Sequence, residues 1–170
     1  MSFKFPKFLI KKIFPPKKCV KTVDTEGDGK ADALIIEAIN VIQPFTVPET
    51  IDLGEFDMND FDLSEYALVL LDDEPIDISK DLVDSNFVQE NVKIFHKGEE
   101  FSLEDLLEGK AGGRLIAVGD PLKILLKLEK KYLNQLGKGK HTLVIEPENI
   151  PRIEVGFFLT KKNMNVPFEP

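Results

Sequence analysis

The sequence PLKILLKLEKKYLNQL, residues 121–136, fits two periodicities, and the choice between them decides the fold. Asp120 is a good helix N-cap, Pro121 suits the first helical position, and Gly137 is a natural helix stop. Helical spacing places five leucines on one stripe with four lysines opposite, but it also places Glu129 within the apolar stripe. A glutamate there is expected to reach solvent or a charged partner, which makes the helix imperfect.

Alternation of side chains between two faces, as in a β-strand, also fits the first half of this stretch. One face of a strand would carry Leu122, Ile124, Leu126 and Leu128. The strand would then give way to a shorter helix near Glu129. We favour one helix over 121–136, since the start and stop signals agree. The sequence thus predicts a β-rich α+β fold of antiparallel strands with one main helix.

Short strands account for most of the remaining chain. The predicted strands are Cys19–Val23, Ala33–Gln43, Tyr66–Leu71, Val92–His96, Arg114–Val118, His141–Glu146 and Arg152–Lys161. The continuous apolar run of Tyr66–Leu71 predicts burial on both faces. Ser102 and Asp105 predict a capping box at the start of a short helix. We expect one domain, 1–170, with two lobes, 1–88 and 89–170, as the alternative arrangement.

The loop DTEGDGKAD, residues 24–32, lies between the first two predicted strands. The residues that follow the oxygen-ligand spacing of calcium loops are Asp24, Glu26, Asp28, the main-chain carbonyl of Lys30, and Asp32, with Gly29 at the sharp turn. The closing glutamate of an EF-hand is absent, because Ile35 stands there. The spacing predicts a Ca²⁺ site. The alternative is a hairpin turn in which Gly27 and Gly29 adopt positive φ and the acidic side chains cap local amides.

This loop resembles the strand-flanked D-x-D-G-D-G-x-x-D loops of integrin-type propeller repeats and, more distantly, dockerin loops. The resemblance covers residues 24–32 and does not recur along the chain. It therefore implies a calcium-binding loop without implying a propeller or a dockerin.

Charge is segregated along the chain, which has a net charge of −8. Residues 1–23 hold seven lysines and no acid, whereas residues 31–79 hold thirteen acids and no lysine or arginine. Such an acidic stretch would repel phosphates, which argues against nucleic-acid binding. The basic arm also carries many large apolar residues, so we expect it to dock. We favour docking of residues 2–14 on the acidic stretch of a neighbouring copy; the alternatives are the acidic stretch of the same chain and another anionic partner. The prediction is a homo-oligomer, with no small-molecule ligand identified.

Other classes of protein are disfavoured by composition. Cys19 is the single cysteine and the two histidines, His96 and His141, are far apart in sequence, so no zinc cluster is expected. The longest apolar runs are about five residues, whereas a membrane span needs roughly 20. Prolines interrupt the N-terminal arm, which disfavours a membrane-surface helix. We expect a cytoplasmic protein that contacts no membrane.

A resemblance to a known family covers the full chain. The run HKGEEFSLEDLLEGKAGGRLIAVGDPL, residues 96–122, and the Lys/Ile/Asn-rich composition look like an uncharacterised archaeal family of methanogens, a domain of unknown function. The C-terminal part resembles the barrel-sandwich hybrid fold of biotinyl and lipoyl carrier domains. Val118–Leu122 resembles their Gly-Asp-x-Leu turn, and Lys130 and Lys131 lie near the position of the carrier lysine. The methionines that flank a carrier lysine are missing, and the implied alternative fold is mainly β.

Three classes of function stay open. A non-catalytic binding or scaffold protein that self-associates ranks first. A module braced by calcium through residues 24–32 ranks second. An enzyme of unknown class ranks third, because no nucleophile, acid and base set is recognisable.

Overall fold

The computed structural model describes residues 6–49, 67–76, 92–147 and 151–169. In these ranges the helices are α1 (Lys7–Ile13), α2 (Leu103–Leu107) and α3 (Lys130–Asn134). The strands are β1 (Val20–Asp24), β2 (Ala33–Ile39), β3 (Phe45–Thr46), β4 (Ala67–Leu71), β5 (Glu74–Pro75), β6 (Val92–His96), β7 (Glu99–Ser102), β8 (Leu115–Ile116), β9 (Pro121–Lys127), β10 (Gly139–Pro147), β11 (Ile153–Leu159) and β12 (Val166–Pro167). The predicted β-rich α+β class is confirmed.

The prediction of a main helix over 121–136 is wrong. The first half is β9, which pairs antiparallel with both β2 and β6, and only Lys130–Asn134 is helical. The reason lies in the two faces of β9. Ile124 packs on the larger apolar cluster and Leu125 belongs to the smaller cluster on the opposite face. A central strand buries apolar residues on both faces, whereas a surface helix buries one stripe.

Two sheets hold most of the strands. The six-stranded sheet has the order β12-β1-β2-β9-β6-β7, and the four-stranded sheet has the order β11-β10-β4-β5. Among the strands that the structure describes, every pairing is antiparallel except that of β12 with β1, and β3 pairs separately with β8. None of these sheets closes into a barrel. Strands from 1–88 and from 89–170, the two alternative lobes, share hydrogen bonds within both larger sheets.

Apolar residues are buried on both faces of the six-stranded sheet. The larger cluster joins this sheet to the four-stranded sheet and to α3, and it includes Leu34, Tyr132 and Phe157. The smaller cluster contains Ile35 and lies beneath the C-terminal segment, where the Phe95 and Phe168 ring centroids are 5.2 Å apart. The double burial explains why β2 is apolar at successive positions.

Local sequence motifs predicted several elements correctly. β1 and β2 form the predicted hairpin around the acidic loop. Ser102 and Asp105 form the predicted capping box, with both side chain to main chain bonds at 3.0 Å. The amide of Ser102 is the main reason that the pKa of Asp105 lies below its usual range. Burial of β4 on both faces is wrong at Leu68, which is exposed.

The N-terminal arm folds partly onto its own chain. α1 contacts β2 and β11, and Phe14 packs on the larger apolar cluster. The Phe158 amide donates to the carbonyl of Pro16 at 2.8 Å. Phe8 points away and is 66% exposed. Residues 2–5 of the predicted docking arm lie outside the described residues, as do 50–66 and 77–79 of the acidic stretch.

Candidate functional site

The acidic loop is built around the Asp24 carboxylate. Its Oδ1 accepts from the amides of Glu26 and Gly27 at 3.0 and 2.8 Å, and its Oδ2 accepts from the Gly29 amide at 2.7 Å. Partial desolvation favours the neutral acid, but the surrounding amides outweigh it and lower the pKa of Asp24 below its usual range. Gly27 and Gly29 have φ of 79° and 83°, as the turn interpretation predicts.

The other acidic side chains predicted as ligands do not converge on the amides that Asp24 binds. Asp28 accepts from the Lys30 amide at 2.9 Å. Asp32 accepts from the Thr25 amide at 2.8 Å and from the Thr25 hydroxyl, and the side chain of Glu26 is exposed. Within the described ranges, no three His, Cys, Asp or Glu side chains are grouped so that they could hold a metal ion. The carboxylates act as caps in this conformation, and calcium binding stays a prediction.

A buried histidine network, which sequence reasoning missed, joins three parts of the chain. His96 is 2% exposed, and its Nδ1 lies 2.9 Å from Nη1 of Arg114. A guanidinium only donates, so Nδ1 is the acceptor and the ring hydrogen sits on Nε2. Nε2 donates to Oδ2 of Asp120 at 3.1 Å. Arg114 also pairs with Glu99.

Asp120 completes this network. It accepts the amide of Ala117 at 2.9 Å, and this bond, together with His96, lowers the pKa of Asp120 below its usual range. Lys97 lies 3.7 Å from the same carboxylate. The predicted N-cap role of Asp120 is wrong, because its carboxylate accepts from the amide of Ala117, three residues before it, whereas an N-cap accepts from amides that follow it. The residues that follow Asp120 form β9 and not a helix. Both nitrogens of His96 are occupied, so the network joins β6 to the segment around β8 and offers no free base.

Both ring nitrogens of His141 have hydrogen-bond partners, and the Cys19 thiol is buried. His141 Nδ1 lies 2.6 Å from Oδ2 of Asp72, and His141 Nε2 lies 2.6 Å from the Gly137 carbonyl oxygen. Burial raises the pKa of the Cys19 thiol to about 11, so little thiolate exists near neutral pH.

No protein-family model matches the chain, and no curated protein matches it. Membership of the methanogen family therefore stays a prediction. Lys130 and Lys131, which the carrier resemblance places near a modified lysine, lie in α3. Among the described residues, no helix has both the length and the apolar character needed to span a membrane.

Proposed function

We propose that this protein is a non-catalytic, cytoplasmic binding protein that self-associates through α1. The observation that carries the proposal is the division of α1 into two faces. Ile10 and Ile13 are half-buried, and the helix contacts β2 and β11. Phe8 is exposed among Lys7, Lys11 and Lys12, which are also exposed. A large aromatic residue within a basic face fits an acidic partner with an apolar recess.

The phenylalanine and the lysines of α1 would contribute different free energies to dimerisation. Burying a phenylalanine contributes about 1.5–3 kcal/mol, whereas an exposed ion pair contributes about 0–1 kcal/mol. Phe8 would therefore supply most of the affinity, and the lysines would select the acidic stretch 31–79 of a second copy as the docking site. Salt should weaken such a dimer only modestly.

Phe8→Ser is expected to raise the dimer Kd at least tenfold, since about 1.4 kcal/mol corresponds to one factor of ten. Sedimentation velocity over a concentration series measures this constant. Ile42→Ser is the matched control, because Ile42 is 67% exposed and lies outside α1. Deleting 2–14 tests the same interface less cleanly, since it also removes Phe14 from the apolar cluster. A Phe8→Ser protein with unchanged mass and Kd would contradict the proposal.

We propose calcium bracing of residues 24–32 as a second function. The supporting observation is that the loop curls around Asp24, with three amides directed at its carboxylate. A carboxylate has about four lone-pair sites, so Asp24 keeps acceptor capacity for a cation. Asp28 and Asp32 would have to turn from their amide partners to join it.

Millimolar Ca²⁺ is expected to raise the melting temperature, because an ion that binds only the folded loop stabilises it by linkage. Thermal unfolding with Ca²⁺, with Mg²⁺ and with chelator measures the effect. Asp28→Asn should reduce the Ca²⁺ shift while leaving the melting temperature in chelator close to that of the wild type. Equal curves in all three solutions would leave the loop as a turn only.

A further inference from the structure

Two residues in a strained conformation form the turn between β4 and β5. Asp72 and Asp73 have φ of 50° and 68°, a left-handed conformation that is unfavourable for most residues and that aspartate tolerates better than most. Two successive residues with positive φ are typical of a type I′ hairpin turn, in which asparagine and glycine are preferred. A turn of this kind built from two aspartates depends on the surrounding structure to hold it in place.

His141 and Thr142 of β10 supply this support. The Thr142 amide donates to Oδ1 of Asp72 at 2.9 Å, and the Asp72 amide donates to the Thr142 carbonyl at 2.8 Å. Nδ1 of His141 lies 2.6 Å from Oδ2 of the same carboxylate. The other ring nitrogen, Nε2, lies 2.6 Å from the carbonyl oxygen of Gly137, in the segment after α3. The ring thus connects the β4–β5 turn, β10 and the segment after α3.

The number of hydrogens on the His141 ring follows from these two contacts. A main-chain carbonyl only accepts, and so does an ionised carboxylate. Both nitrogens of His141 therefore have to donate, so the ring carries two hydrogens and a positive charge. His96 is the opposite case, because its Nδ1 faces the guanidinium of Arg114, which only donates, and its ring is neutral. The intact fold thus needs a charged ring at His141 and a neutral ring at His96.

The elements around His141 carry charges of both signs. In β11 the residue paired with His141 is Phe157, whose ring centroid lies 5.5 Å from that of the imidazole. The β4–β5 turn supplies Asp72, which forms an ion pair with His141. The His141 side chain is only 10% exposed, so its charge depends on this carboxylate more than on water. The other exposed charged residues on these elements are Asp73 and Glu74 in the turn, Lys138 after α3, and Lys140 in β10.

We propose that His141 is a pH-sensitive latch, which holds the β4–β5 turn while its ring is charged and releases it when the ring loses a hydrogen. Loss of a hydrogen from either nitrogen would leave a lone pair facing an oxygen atom at 2.6 Å, which is repulsive. The contact with Asp72 or with Gly137 is then lost, and the strained turn loses one of its supports. Histidine is the side chain whose charge ordinarily changes between about pH 5 and 8. The stabilisation by the latch is therefore present at the acid end of this range and is lost as the pH rises.

The pH dependence of the variant His141→Gln tests the latch. Glutamine keeps a donor but has no charge and does not titrate in this range. We expect the unfolding equilibrium constant of the variant to be about tenfold above that of the wild type at about pH 5.5, and only about twofold above it at about pH 8.5. Urea unfolding followed by circular dichroism measures both constants. The pH dependence of the His96 network is present in both proteins and cancels in the ratio. A ratio that is the same at both pH values, or that rises with pH, overturns the proposal.

Two measurements on the wild-type protein test the latch directly. Nitrogen-15 NMR of the histidine rings at about pH 7 is expected to show two protonated nitrogens for His141 and one for His96, and the His141→Gln spectrum assigns the signals. A nitrogen without hydrogen on His141 overturns the proposal. The protection factor of the Thr142 amide against hydrogen exchange should fall between about pH 6 and pH 8.5. The control is the Asp105 amide, which donates to the uncharged Ser102 hydroxyl and should keep its protection factor. Equal behaviour of the two amides would show that the turn is not released and would also overturn the proposal.

Discussion

Gly112→Ala is expected to lower the free energy of unfolding by about 3 kcal/mol. A Cβ at Gly112 would lie 2.6 Å from the Cα of Glu49 and 2.9 Å from the carbonyl oxygen of Gly109. Main-chain atoms cannot move aside as the end of a flexible side chain can. Val47 and Glu49 lie directly on the turn before β8, where the Gly113 amide donates to the Val47 carbonyl at 2.9 Å. Urea unfolding followed by circular dichroism measures the change.

Gly137→Ala is the matched control for this prediction. Neither Gly112 nor Gly137 has a positive φ, so alanine is acceptable to the main chain at both positions. No atom lies within 4 Å of a Cβ placed at Gly137, and we expect a change below about 1 kcal/mol there. Similar losses at the two glycines would show that contact with Glu49 is not what requires glycine.

His96→Ala is expected to cost about 3–4 kcal/mol of unfolding free energy. The substitution removes one of the partners of Asp120 and the partner of one Arg114 nitrogen, and it leaves a cavity between them. Their side chains are only 16% and 24% exposed, so water cannot fully replace the lost bonds.

His141→Ala is the comparison for the His96 network. Its partner Asp72 is more exposed and can be hydrated after the ring is lost, so we expect a smaller loss of stability. Urea unfolding of both variants decides the matter. A loss at His96 no greater than that at His141 would count against the network as the connection between β6 and the turn before β9.

The elements that the sequence predicted correctly are those set by neighbouring residues. The β1–β2 hairpin follows from turn chemistry, and the capping box follows from Ser102 and Asp105 alone. Residues 121–136 could not be assigned in this way, because their helical and strand patterns compete. The strand forms because β9 pairs with partners that are distant in sequence: Ile35, the partner of Leu125, lies 90 residues earlier in the chain.

The contacts of the candidate site could not be predicted for a related reason. His96 meets Arg114 and Asp120 at separations of 18 and 24 residues, and no motif marks such a network. In the acidic loop, the spacing that suits a cation also suits amide capping, since both need oxygen atoms that converge on a tight turn. The sequence therefore located the loop and its positive-φ glycines but could not determine how the carboxylates are used.

The contact between Pro16 and Phe158 bears on whether another strand can add to the edge of the four-stranded sheet. β11 is an outer strand of its sheet, and an outer strand with free main-chain groups can recruit a strand from another molecule. Pro16 takes up the Phe158 amide through its carbonyl and, like Pro15, has no N–H with which to extend the sheet. A proteolytic product that begins after Pro16 would lose this protection and expose a β-rich segment suited to cross-β stacking. The two prolines thus disfavour strand addition at this end of β11 as well as shaping the path of the chain.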